Sequence, residues 1–305
     1  RGDALALDFA GSGPQCAGDI NVVYFALVAT VYYALKAVLD PTIPANSGFY
    51  RAITVTAPEG SIVNARLPAP VAWRTQTCQR IADVVFGALA PALPERVIGA
   101  TNGANSAWVF SGTDPRTGQY YVYLETIGGG SGARATKDGL DGVQVHITNT
   151  SNLPVEAIEM EYPLRVVSYG LIEDSGGAGE FRGGLGLRRV IEPVAHDCVF
   201  NGAGERFRNA PWGIFGGGPG GMGRFLHVTD QGERTLDIKP SGIAVKAGER
   251  IVVETPGAGG YGPPERRDAA ALEEDRQSGK FGEKALKEKY GDIGGVPSHP
   301  STGSG

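Results

Sequence analysis

Glycine fills 47 of the 305 positions, roughly twice the usual share of about 7%, and no other feature limits the possible fold as strongly. A residue without a Cβ is favoured where the chain turns sharply or where two backbones pass in contact. These glycines follow neither the three-residue period of a collagen helix nor any longer fixed repeat, which excludes a triple helix, a solenoid and a propeller. They cluster instead between apolar runs, notably at 128–132, 175–186, 216–221 and 257–262. Short elements joined by tight turns and close backbone approaches are the expected outcome.

The apolar runs themselves divide into two kinds. Val22 to Leu39 sits at the lower limit of a bilayer span, but Thr30, Lys36 and three tyrosines interrupt it, so it reads as a buried helix. Asp19 and Asn21 are placed to cap its start, and Asp40-Pro41 ends it. Ile81, Val84, Val85, Ala88, Leu89 and Ala92 recur at helical spacing after Thr75 and Thr77, with Pro91 and Pro94 closing that second helix. Strand patterns follow at Ala4 to Phe9, Ala52 to Thr56, Tyr120 to Thr126, Val143 to Thr148, Arg165 to Leu171, Leu187 to Ile191, Phe225 to Val228 and Ile251 to Glu254. Helices early and strands late make the class α+β. The pattern predicts a mixed unit over 1–172, a β-rich unit of Gly/Pro turns over 173–264, two short helices over 265–291 separated near Gly279 and Gly282, and a flexible tail over 292–305. The opening at Arg1, without a methionine and directly before a strand, suggests that an upstream part is missing.

Charge and cysteine usage narrow the function. A formal net charge of -5 leaves no basic surface to gather phosphate backbones, so nucleic acid is not an expected partner. Cys16, Cys78 and Cys198 are odd in number and form no CxxC pair, which fits reduced thiols and a cytoplasmic location. No charged-then-apolar leader is present and no membrane partner is expected. The histidines, His146, His196, His227 and His299, stand singly, without metal-ligand spacing, and no GxSxG elbow appears. His196, Asp197 and Cys198 are neighbours, but on a strand they point to opposite faces.

Three segments can carry chemistry. Glu125-Thr-Ile-Gly-Gly-Gly-Ser-Gly-Ala-Arg134 runs from a strand into a glycine loop whose N–H groups at Gly128, Gly129 and Gly130 could form an anion-binding nest or a plain close-packed turn. Val145-His-Ile-Thr-Asn-Thr150, if extended, puts His146, Thr148 and Thr150 on one side and Asn149 on the other. His146 can then serve as base or acid, or sit hydrogen-bonded in a strand corner. Arg182 and Arg188, set among glycines at 175–188, are suited either to clamp an anion or to latch the fold, and Glu205-Arg-Phe-Arg208 with Trp212 presents the same choice. No self-contained catalytic set is legible.

In order along the chain, Asp8-Phe-Ala-Gly-Ser-Gly-Pro-Gln15, Tyr32-Tyr-Ala-Leu35, Pro44-Ala-Asn-Ser-Gly48, Tyr123-Leu-Glu-Thr-Ile-Gly-Gly-Gly130, His146-Ile-Thr-Asn-Thr150, Pro154-Val-Glu156, Ser175-Gly-Gly-Ala-Gly179, Phe181-Arg-Gly-Gly184 and Thr255-Pro-Gly-Ala-Gly-Gly-Tyr-Gly262 resemble the hydantoinase B/oxoprolinase family over nearly the whole chain. The resemblance implies the C-terminal part of a hydantoinase B-like subunit, with 5-oxoprolinase, N-methylhydantoinase and the acetone and acetophenone carboxylase subunits as relatives. It implies a metal-dependent hetero-oligomer in which a hydantoinase A-like ATPase subunit, with ATP and Mg bound, phosphorylates an amide oxygen. A divalent metal, Zn or Mn, then belongs to the missing N-terminal half, and no metal ligand is assigned here. His146-Ile-Thr-Asn-Thr150 resembles the ring-opening branch, whereas Ala100-Thr-Asn-Gly-Ala-Asn-Ser-Ala-Trp108 departs from it and leaves the substrate open. Ketone carboxylation and a non-catalytic scaffold are the alternatives. On the ring-opening reading, His146 and Glu125 are catalytic, Gly128, Gly129, Gly130, Thr148, Asn149 and Arg134 bind substrate, and Arg182 and Arg188 organise the fold.

Overall fold

The computed structural model describes residues 4–103 and 106–291. The expected tail at 292–305 lies outside them, as does His299. Strand β1 (Leu5–Asp8) pairs in parallel with β2 (Ile53–Thr56), flanked by helices α1 (Tyr24–Leu39), α2 (Ser47–Tyr50) and α3 (Arg74–Leu89). Along α1, Leu27, Val31, Leu35 and Val38 form one stripe at intervals of three and four residues and are buried against Ile81, Val85 and Phe86 of α3 and Ile53 and Val55 of β2. The capping expectation needs correction. Helix α1 begins after Val23 without a side-chain cap, because Asn21 donates to the Cys16 and Gly18 carbonyls at 2.8 Å and to the Pro70 carbonyl at 2.9 Å.

Two antiparallel sheets make up the rest. One has the order β10 (Ile243–Val245), β7 (Cys198–Ala203), β3 (Ser106–Thr113), β4 (Tyr120–Ile127). The other runs β5 (Leu164–Leu171), β6 (Leu187–Pro193), β11 (Arg250–Glu254), β8 (Arg224–Thr229), β9 (Gly232–Thr235). Alternate residues of both meet in a second core, where Trp108, Phe110, Tyr123 and Phe200 face Ile191, Phe225, Ile251 and Val253. The α+β class therefore holds, with α4 (Val155–Glu161), α5 (Ala269–Gln277) and α6 (Glu283–Tyr290) as small additions. The expected division near residue 173 does not: β3 pairs with β7 and β5 with β6, so both sheets are stitched from strands on either side of that point.

Glycine segments cross at the junction of the two cores, backbone against backbone. Gly130 N–H donates to the Pro256 carbonyl, Gly184 to Ser131, Ala258 to Gly184, Gly177 to Ala258 and Gly259 to Ala100, at 2.8–3.1 Å. A Cβ placed on Gly132 would stand 1.8 Å from the Gly99 oxygen, and one on Gly183 would stand 1.9 Å from the Ala258 oxygen. Beside these crossings Arg182 is buried against Asp141 at 2.8 Å and Asp275 at 3.2 Å. Arg267 is buried against Asp138 at 2.8 Å and Asp275 at 2.6 Å. The latch reading of Arg182 follows from its partners, while Arg188 reaches Glu254 at 2.6 Å from a partly exposed position. No helix among the described residues is long and apolar enough to cross a membrane.

Because the three atoms nearest a Cβ at Gly183 all belong to the backbone, Gly183→Ala meets no flexible side chain that could yield first. It is expected to cost about 3 kcal/mol or more in urea unfolding. Gly170→Ala, with nothing within 4 Å of the new methyl group, should fall within about 0.5 kcal/mol of the parent; similar losses for both would remove the close-approach explanation.

Candidate functional site

The segment at 143–148 is not the strand its Val/Ile/Thr content suggests. Val143 makes an isolated bridge to Gly129, Gly142 takes a positive φ of 61°, and Thr148 N–H closes a turn on the Val145 carbonyl at 3.1 Å. A helix side chain substitutes for a neighbouring strand: Gln79 Nε2 donates to the Val145 carbonyl at 3.0 Å and also bonds Thr148 Oγ1. Thr148 is thereby turned toward α3, whereas Asn149 and Thr150 are exposed. His146 sits in this turn at φ 48°, a left-handed conformation that a non-glycine residue holds at a cost of about 1–2 kcal/mol.

The turn aims the imidazole inward. His146 Nε2 lies 2.9 Å from Asp83 Oδ1 and 3.2 Å from Thr101 Oγ1, and Nδ1 lies 3.4 Å from the Tyr33 hydroxyl. The rings of Phe86 and Tyr33 flank it at 5.4 and 6.0 Å. Asp83 has no exposed surface and also takes Arg206 Nη2 at 2.5 Å and the Thr101 N–H at 3.1 Å. Arg206 is itself at positive φ, 58°, and its guanidinium lies over Trp212 at 4.6 Å. Burial alone would push the Asp83 carboxyl up, but His146 and Arg206 beside it hold it below the usual carboxylate range. Burial and the nearby Asp83 charge raise the Tyr33 hydroxyl, so it stays protonated near neutrality. A carboxylate facing Nε2 keeps the ring proton on that nitrogen, which leaves Nδ1 to accept from Tyr33. The result is a chain of bonds, Tyr33 to His146 to Asp83, anchored by Arg206.

His146 is 2% exposed in its side chain, so contact with a ligand passes through its neighbours. They line a cleft of about 480 Å³ that Tyr33 shares with Phe86, Arg96, Ser131, Arg134 and Gln144. Arg96 is tied to the end of α1 through the Leu39 carbonyl at 2.6 Å. The exposed Arg134 makes no ion pair among the described residues and is the cation available to a ligand.

Glu125 is elsewhere. On β4 it accepts from Tyr123, Asn152 Nδ2 at 2.9 Å and the Leu153 N–H at 3.2 Å, and it pairs with the fully buried Arg189. Arg189 in turn stacks on Tyr169 at 3.9 Å. That carboxylate is committed to joining the two sheets and lines a different cavity, with Asn152 and Tyr162. The structure thus separates the two residues expected to be catalytic together. The nest is also corrected: Gly129 and Gly130 already donate to the Val143 and Pro256 carbonyls at 3.0 and 3.1 Å, and Gly128 is pressed against the Val143 backbone. A nucleotide phosphate does not fit donors already spent in this way. No group of three or more His, Cys, Asp or Glu that could hold a metal occurs among the described residues, and the His146 and Asp83 donors are taken up by each other, Thr101 and Arg206. A resident metal does not fit here either.

Sequence reasoning missed Tyr33, Asp83 and Thr101. A signal existed for Asp83, a lone acid inside the apolar run Ile81 to Phe86, since an unpaired carboxylate does not stay on a buried helix face. Arg206 stands out in the sequence, but nothing there names its partner.

Among known proteins, the family profile described as Hydantoinase B/oxoprolinase matches residues 1–264. The chain is 40% identical over 287 residues to an uncharacterized protein of Methanocaldococcus jannaschii, covering 94% of this chain and 50% of that one. It is 34% identical over 301 residues to the B-type subunit of a putative D-/L-hydantoinase from a Pseudomonas species, covering 95% and 50%. The crystal structure of ATP-dependent caprolactamase from Pseudomonas jessenii is similar at a TM-score of 0.82 and 30% identity, over 95% of this chain and 52% of that one. The chain spans about half the length of these curated relatives.

Asp83→Asn tests the anchoring of the site. A carboxyl whose folded pKa is depressed contributes stability that is complete above its unfolded value of about 3.9 and is lost as pH falls through the folded one. The substitution leaves Arg206 buried without its charge partner and should cost about 3–5 kcal/mol at neutral pH. In urea unfolding the gap between parent and variant is expected to narrow below about pH 4; a gap independent of pH would contradict the ionised state of Asp83.

Proposed function

The chain belongs to the hydantoinase B/oxoprolinase family, and from that premise we propose that it is the C-terminal part of a hydantoinase B-type subunit in an ATP-dependent enzyme that opens cyclic amides. One observation carries the reading: a buried Tyr33–His146–Asp83 relay opens into a cleft that also presents Arg134. Two relatives, one named for a hydantoinase and one for a caprolactamase, support the substrate class.

An unstrained amide resists water at neutral pH because its carbonyl carbon is a poor electrophile and its nitrogen a poor leaving group. Phosphorylating the oxygen removes the first obstacle and protonating the nitrogen the second. In this division of labour a hydantoinase A-like partner takes up ATP and Mg and phosphorylates the amide oxygen. The N-terminal half of the B-type subunit holds a divalent metal, Zn or Mn. This chain contributes a proton relay and a cation: Tyr33 takes a proton from the attacking water as it passes its own to His146 Nδ1, Asp83 steadies the ring, the proton returns through Tyr33 to the substrate's ring nitrogen, and Arg134 faces the anionic oxygen. The net change consumes two waters, one added across the C–N bond and one that releases the phosphoryl group, and converts ATP to ADP and phosphate. A cytoplasmic location belongs to the same reading, supported by three free cysteines.

ATP hydrolysis by the complete complex, followed with lactams, hydantoins and a ketone plus bicarbonate, tests the proposal. A cyclic amide should stimulate it, with one ring opened per ATP. Stimulation by the ketone alone, with carboxylation, would replace ring opening by the carboxylase alternative. Within an active complex, Tyr33→Phe should lower kcat about 10²-fold with little change in KM, and His146→Ala should lower turnover with assembly intact. An unaltered kcat in Tyr33→Phe would remove the relay from the chemistry.

A further inference from the structure

The cleft beside Tyr33 carries a second cation that the ring-opening scheme leaves without a task. Arg96 lines it together with Arg134, and none of the described residues lining it is Asp or Glu. Elsewhere the buried arginines each face a carboxylate, as Arg182, Arg189, Arg206 and Arg267 do. Neither Arg96 nor Arg134, both exposed, forms an ion pair among the described residues. Asp40 is close enough to feel the Arg96 charge, but its Oδ1 is taken by the Thr42 N–H and hydroxyl at 2.9 and 2.6 Å.

The segments that bear the two arginines run side by side. An antiparallel bridge sets Arg134 opposite Ile98, just after Arg96 in the chain, and Gly99 N–H donates to the Ala133 carbonyl at 2.8 Å. Arg96 Nη1 donates to the Val38 and Leu39 carbonyls at 3.3 and 2.6 Å. Its guanidinium is thereby fixed at the end of α1, with the remaining N–H groups left for a ligand.

Two guanidinium groups without an acid call for an anion of more than one charge. A carboxylate has two oxygens and a single charge, and one fork satisfies it. A phosphoryl monoester carries about -1.5 to -2 at pH 7 and three acceptor oxygens, enough to occupy both arginines. The walls formed by Val38, Phe86, Ile98 and Val143 are apolar and suit a ring. A free cyclic amide, being uncharged, would leave both cations unanswered. We propose that Arg96 and Arg134 form a phosphoryl clamp, so that this cleft takes the cyclic amide once its oxygen has been phosphorylated and turns the ring nitrogen toward Tyr33. The proposal rests on the reading of the chain as part of a cyclic-amide hydrolase, to which it adds Arg96 as a binding residue and the phosphorylated ring as the species bound.

Isothermal titration of the complete B-type subunit, without its ATPase partner, with 2-pyridyl phosphate reads the binding directly. That planar ring carries its nitrogen beside the C–O–P link, as the phosphorylated amide does. 2-Pyridone, the same ring as an unphosphorylated cyclic amide, should bind at least tenfold more weakly, and so should phenyl sulfate, a monoanion of similar size. Both comparisons use the unaltered protein, so no folding defect enters them. Arg134→Gln and Arg96→Gln should each lower 2-pyridyl phosphate affinity at least tenfold. Arg96→Lys, which keeps the charge and a donor for the α1 carbonyls, should still lose about threefold because an ammonium has no fork. Equal affinity for the three ligands, no binding at all, or unchanged affinity in the arginine variants each overturns the proposal. If 2-pyridyl phosphate binding needs both arginines yet the complex opens no cyclic amide, the clamp stands and the hydrolase reading falls. If lactams turn over with the same kcat and KM in Arg96→Gln, the hydrolase reading stands and the clamp falls.

Discussion

Where Gly99, Gly132, Gly183, Gly184 and Ala258 meet, peptide planes lie directly on peptide planes with no side chain between them, and both halves of the molecule are positioned from that junction. It joins the helical layer of α1 and α3 to the paired sheets without a hydrophobic interlayer of its own. Hydrogen bonds between successive loops replace side-chain packing there. Such an arrangement tolerates almost no added volume, since each backbone sits where the Cβ of another would go. The loop after β4 and the turn bearing His146 are held by the same crossings, so the geometry of the cleft follows from steric exclusion some distance away.

Asp83 plays the corresponding part in electrostatics. Taking a carboxylate, a guanidinium and an imidazole out of water is costly, and the cost is recovered only when every polar atom finds a partner. The Asp83 carboxylate meets that condition with His146, Thr101 and Arg206, while Arg206 Nε stays without a hydrogen-bond partner. It also uses it to hold two residues, His146 and Arg206, in backbone conformations they would not adopt alone. Strain concentrated around one buried carboxylate, beside an open cleft, is the pattern of a site kept in a single geometry for ligand. Glu125 and Arg189 share the buried-pair chemistry without the cleft-facing relay, and their effect is to fasten one sheet to the other.

The two long helices were legible because their apolar residues recur at 3.6-residue spacing and prolines or Asp-Pro mark their ends. The α5 and α6 helices were legible from charge and glycine spacing. Strand β3 was not, since Ser106, Ala107, Ser111 and Gly112 dilute the pattern, and what makes it a central strand is pairing with β4 and with the distant β7. The apparent boundary near residue 173 failed for the same reason: composition changes there, but strand partners are chosen across it. At 143–148 a β-like composition was overruled by Gln79, whose side chain took the backbone carbonyl that a strand neighbour would have needed. Of the candidate site, His146 and Arg134 were recognisable by residue type. Tyr33 was hidden within a helical run whose periodicity accounts for it as core, and Asp83 showed only as a lone acid among apolar neighbours, with nothing to name its partners.

The buried Arg182–Asp275–Arg267 cluster ties α5 to the glycine crossings. Asp275 follows Arg182 by 93 residues in the chain, so a ribosome delivers the arginine long before its counter-ion. Until α5 emerges, Arg182 must stay near water or rely on Asp141 alone, and the region around it cannot close fully. A chain ending before α5 therefore leaves Arg182 one buried counter-ion short, with an open charged seam where the finished fold is closed.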